Sequence, residues 1–255
     1  GWQSPDYQTR YERRFEEIQP GLQAFFALTE EERAALRDEL TPGLVRILSR
    51  IERELWVEGL NTSFSLRQLR FLNETIKEPQ TRNWIARAHL TQLAQAHGVS
   101  LREYGAKLMR SPVADPEEQR LWMRTLATEP TQEAWQILED GLSHRNPQVS
   151  VEAMNAMIQH LRLDPSQVRR MELEIQTRTT DQAKPYLLIL QGWVLSSRQG
   201  KEWLRKTVRR DGTEGIVSQI AQARFQLDRL SLQWQNEFQR VVNQMMEDDT
   251  LKMAL

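Results

Sequence analysis

The chain contains no cysteine. Disulfides, thiolate metal sites and a cysteine nucleophile are therefore excluded. Glycine is scarce, 11 in 255 residues, so extended glycine-rich phosphate loops have little to be built from, and no such motif occurs. Alternating runs of valine, isoleucine, threonine and aromatics are missing, which leaves no convincing strand. No apolar run approaches the roughly 20 residues that span a bilayer. Four histidines, His89, His97, His144 and His160, show no ligand spacing with one another, and neither an HExxH nor a GxSxG motif is present. No cofactor and no catalytic residue is nominated. The formal charge of −1 supplies no global field toward nucleic acid or an anionic membrane and argues against nucleic acid as a partner.

What remains is dominated by Arg, Glu, Gln, Leu and Ala, all strong helix formers. The expected fold class is all-α. In the first quarter, Ser4-Pro5 opens a helix to about Gln19, Thr29 with Glu32 forms a capping box, and Thr41-Pro42 opens a third helix with Leu44, Ile47, Leu48, Ile51 and Leu55 as its core stripe. Ser65 caps the next helix, with Leu69, Leu72 and Ile76 inward. Residues 81–97 form another, ended by Gly98. Ser100 and Glu103 make a further capping box. Ser111-Pro112-Val113-Ala114 is the best boundary between packed parts.

After that boundary, helix openings recur near Pro116, Gln132, Pro147, Pro165, Gln182 and Lys201, at spacings of 16, 15, 18, 17 and 19 residues. Two such units make a pair of the length seen in helical repeats. In the stretch from Leu142 to Val168, Asn146-Pro147 and Asp164-Pro165 are each a capping residue followed by proline at the first helical position. Between them Val151, Met154, Met157, Ile158 and Leu161 fall at helical spacing on one face, which the helix is expected to bury against neighbours. Within that helix, Pro147, Val149, Ala153, Ala156 and Leu161 resemble the second-helix pattern of HEAT repeats, with Ser150 where that family commonly carries arginine. The resemblance implies stacked helix pairs and a protein-binding surface, with no chemistry attached.

The organisation expected is an N-terminal helical region over 1–112, a HEAT-like region over 113–212, and a long helix within 213–255. No breaker occurs between Gly215 and Asp248, so that helix is expected to run for over 30 residues, about 50 Å. Leu227, Leu230 and Trp234 fall on a heptad-like seam that Phe238 continues after a shift of phase. Either the seam packs on the rest of the chain, or it meets a second copy, as a homodimer through 213–248, or a partner helix.

The sharpest charge feature is Arg198–Arg210, with six cations and one acid. On a helix Lys201, Arg205 and Arg209 line one side, Lys206 and Arg210 lie beside them, and Trp203 lies within. Such a patch suits a polyanion, a nucleic acid or a phosphate-bearing ligand, or else is a solvated face whose last cations favour the helix dipole. Eight tryptophans are either inter-helix packing or a binding groove. The leading functional expectation is a non-catalytic scaffold that holds another protein on a helical-repeat surface. Polyanion binding through 198–210 is the alternative. A lone Gly1 before Trp2 suggests a trimmed terminus, with a lean toward a periplasmic or membrane-tethered bacterial origin.

Overall fold

The structure, a computed structural model, describes residues 65–76, 79–223 and 236–247. The three helices expected before residue 60 lie outside them, as do Leu227, Leu230 and Trp234. The protein is all-α. Among the described residues every regular element is helical. The chain divides into two compact units, 1–128 and 129–255, and the Ser111–Ala114 turn lies inside the first.

In the first unit α1 (Leu66–Thr75) begins with a reciprocal cap. The Gln68 amide N–H donates to Ser65 Oγ at 3.3 Å, and the Ser65 N–H donates to Gln68 Oε1 at 2.9 Å. Its inward residues, Leu69, Leu72 and Ile76, are fully buried as the spacing predicts. Helix α2 (Pro79–Ala96) starts at the proline itself, two residues earlier than expected. It ends in a Schellman turn. Gly98 adopts φ +65°, its N–H donates to Gln95 O, and the Val99 N–H donates to Ala94 O. The capping box of Ser100 and Glu103 opens α3 (Leu101–Arg110), and Asp115 caps α4 (Pro116–Leu126) with proline at its first position. Helix α2 packs against α1, α3 and α4. Its residues Ile85, Ala86, Ala88 and Leu90 point in different directions yet are all buried. A helix buried on several sides belongs at the centre of its unit.

The second unit is likewise built of capped helices. Thr131 caps α5 (Gln132–Leu142) and Asn146 caps α6 (Pro147–Leu163). Asp164 caps a 3₁₀ turn, Pro165–Gln167, which leads into α7 (Val168–Thr177). Helix α8 (Thr180–Ser196) opens two residues before the expected Gln182. Pro185 therefore lies in its second turn, where it withdraws one backbone donor from the helix. Ser197 caps α9 (Arg198–Asp211), and α10 (Ile216–Gln222) follows a turn in which Gly212 and Gly215 both take positive φ. Residues 236–247 form α11. Helix α8 packs against α6, α7, α9 and α10; α5 packs on α6. Every residue from Tyr186 to Val194 is buried. Helix α8 is central here as α2 is in the first unit.

The single helix expected from 213 to 248 is interrupted. Helix α10 ends at Gln222, and Ala223 is extended at φ −65° and ψ 128°. The cause is tertiary. In a continuing helix the Ile220 carbonyl would accept from the amide four residues on. Here it accepts from the buried Gln191 side chain of α8 at 3.1 Å and from the Ala223 N–H at 3.2 Å.

Candidate functional site

The basic segment 198–210 is a helix, α9, and its placement follows from its sequence. Gly200, Leu204, Thr207 and Val208 recur at helical spacing and are buried. Gly200 makes the closest approach. A Cβ at that position would lie 2.6 Å from the Trp193 carbonyl oxygen and 2.8 Å from the Val194 Cα of α8. Only a residue without a side chain lets the two backbones meet there. The opposite face carries the cations. Lys201, Lys206, Arg209 and Arg210 are exposed and Arg205 is half-buried.

These cations divide into tied and untied groups. Arg198 is bonded to Glu202, one turn on, at 3.1 Å. Arg210 pairs with Asp211 at 2.7 Å and lies 3.9 Å from Glu172 of α7. The hydrogen bond from Arg210 holds the Asp211 carboxyl below its ordinary range. Among the described residues, Lys201, Arg205 and Lys206 make no ion pair. Lys201 acts at longer range on Glu237 of α11, whose carboxyl is lowered first by its hydrogen bond from Arg240 and then by Lys201.

Trp203 does not belong to the exposed face. Its Nε1 donates to Glu172 Oε1 at 3.2 Å, and its ring packs 5.9 Å from that of Trp193, tilted by 48°. Trp122, Trp135 and Trp193 are buried in their own units, so these three are packing residues. Phe238 is fully buried and contributes to the chain's own core.

The sequence reading missed a set of polar bridges between alternate helices. From the 3₁₀ turn before α7, Gln167 Nε2 donates to Gln132 Oε1 of α5 at 2.8 Å, and from α7 itself Arg170 Nη2 donates to Glu139 Oε2 of α5 at 2.8 Å. Between α7 and α9, Glu172 receives the Trp203 indole and neighbours Arg210. Burial holds the Glu139 carboxyl above its ordinary range, with the Arg170 guanidinium opposing. Beside it Arg178 lies 5.3 Å over the Tyr186 ring, and burial raises that phenol. The bridged residues are 31 to 35 apart in sequence, the spacing of two consecutive helix openings taken together. That periodicity was the available signal; which side chains would meet was not.

The histidines are structural. Asn73 Nδ2 donates to Leu69 O at 3.1 Å and lies 3.2 Å from His89 Nδ1. With the Asn73 amide as donor, Nδ1 is the accepting nitrogen and the ring proton belongs on Nε2. Burial lowers its pKa, with Arg70 adding to that effect and Glu117 opposing it. His97 stacks on Tyr104 at 5.3 Å, His160 packs on Trp135 at 6.0 Å, and His144 Nδ1 accepts the Asn146 amide. Among the described residues no group of three or more His, Asp or Glu side chains converges to hold a metal, and no helix is long and apolar enough to cross a membrane. Compared with known protein families, curated proteins and solved structures, the chain matches none of them.

Proposed function

We propose that this chain is a non-catalytic, HEAT-like helical-repeat protein whose surface holds another protein. One observation carries the reading: polar bridges recur between α5, α7 and α9 at separations of 31 to 35 residues, while α6, α8 and α10 pack directly in turn. Side chains span one row of alternate helices and close packing joins the other, which is the logic of stacked helix pairs. The first unit supports it, because α2 packs on α4 directly and α1 and α3 flank them. Val149, Ala153, Ala156 and Leu161, which carry the HEAT-like pattern, are all buried on α6. Its outer stripe, Gln148, Val151, Asn155 and Arg162, is exposed, so Val151 lies away from the buried apolar face on which its spacing places it.

A photo-crosslinking residue at Asn155, in the full chain within its native cells, tests this. The expected result is one defined protein, crosslinked in fixed stoichiometry and lost when Val151 and Arg162 are changed to aspartate. Only a diffuse background, unchanged by those substitutions, would contradict it.

A further inference from the structure

The exposed face of α9 carries three cations, Lys201, Arg205 and Lys206, that make no ion pair among the described residues. We propose that it docks an acidic, carboxylate-bearing segment of a protein partner, with Lys201, Arg205 and Lys206 as the main contacts and Arg209 extending the row. This rests on the reading of the chain as a protein-binding scaffold and names the chemistry of what it binds.

Three observations select that occupant among anions. First, Lys201, Arg205 and Arg209 follow one another at intervals of four residues, about 6 Å along the helix axis. Carboxylates four residues apart on a partner helix repeat at the same interval, so the rows match without either chain changing shape. The helix is also held firmly, because Gly200 seats it on the α8 backbone. The cations thus project from a fixed line, and docking orders only their side chains.

Second, the face lacks what a nucleic-acid strand uses besides charge. Trp203, the only aromatic residue of α9, is turned inward to Glu172 and Trp193, so it offers no platform for a base. Glu202 and Asp211 lie exposed among the cations, and Glu237 lies near Lys201. Those carboxylates oppose the dense charge of a phosphate backbone, whereas a sparsely charged peptide can register between them.

Third, a lipid surface would need apolar side chains beside the cations. Leu204 and Val208 of α9 are buried in the protein's own core.

Fluorescence anisotropy on the full chain tests the proposal. The probe is a fluorescein-labelled alanine–glutamine helix with glutamates four residues apart. Comparison probes are its lysine counterpart, a single-stranded oligonucleotide, and vesicles of mixed neutral and anionic phospholipid. The glutamate helix is expected to bind, to weaken as salt rises, and to lose about tenfold in affinity when Lys201, Arg205 and Lys206 are all changed to glutamine. Lys201 and Lys206 are exposed and Arg205 is half-buried, and an unchanged circular dichroism spectrum confirms that the fold is kept. Changing the three to glutamate should transfer binding to the lysine helix, a gain that unfolding cannot produce. Tighter binding of the oligonucleotide or the vesicles, equal binding of glutamate and lysine helices, or no effect of the substitutions would overturn the proposal. Such a result would leave the scaffold reading standing if the Asn155 crosslink still recovers its partner.

Discussion

Gly200 of α9 rests on the main chain of α8 at Trp193, so closely that a methyl group there would stand 2.6 Å from the Trp193 carbonyl oxygen. Backbone cannot yield as a side-chain tip can. Gly200→Ala would gain up to about 1 kcal/mol of helix propensity in an open helix. Here overpacking outweighs that gain, and a net loss of about 1–3 kcal/mol is expected from denaturant unfolding. Increased stability would show that α9 and α8 are not in this contact.

The first unit has the same device with a different neighbour. A Cβ on Gly105 of α3 would meet the Trp122 ring of α4 at 2.3 Å. Gly105→Ala should destabilise the chain, and the additional change Trp122→Leu should recover part of the loss by making room. A double-mutant cycle measures this. Strictly additive effects would contradict the contact.

His89 predicts a pH dependence. Its folded pKa lies below its ordinary 6.5, so the unfolded chain takes up the proton more readily than the native one. Stability from this group is complete well above pH 6.5. It falls as pH drops below that value, until the folded pKa has also been passed. Denaturation midpoints between neutral and mildly acid pH should show a shallower decline for His89→Gln than for the unaltered chain. Identical slopes would mean the ring is not held neutral against Asn73.

The Ser100 cap is a simpler case. Its hydroxyl accepts the Glu103 amide and the Glu103 carboxylate receives the Ser100 N–H and hydroxyl. Ser100→Ala should cost about 1 kcal/mol in a urea titration, and Ser100→Asp should restore most of it.

Local chemistry explains which parts of this fold can be read from sequence. Ser65, Ser100, Asp115, Asn146 and the prolines after the last two act within four residues of themselves, so their spacing alone announces them. The Gly98 turn is equally local. The break at Ala223 is not, because the residue that fixes it, Gln191, is on another helix and takes the Ile220 carbonyl from a distance of 29 residues. Alanine carries no mark of that. Trp203 shows the same limit at the candidate site: its place within the basic run was plain, but its inward turn depends on Glu172, 31 residues away. The charge of α9 was legible, whereas which cations would be tied and which left over was decided by Glu202, Asp211 and Glu172.

The most direct test of the stacked-helix account is amide hydrogen exchange on the full chain, resolved by residue. Helices buried all round should open only with their whole unit. The account therefore predicts the slowest exchange in two separate stretches, Ile85–Leu90 of α2 and Tyr186–Val194 of α8, with faster exchange in α3, α7 and α9 on either side. Slow exchange spread evenly over all these helices, or concentrated in α9 with α8 exchanging quickly, would contradict it.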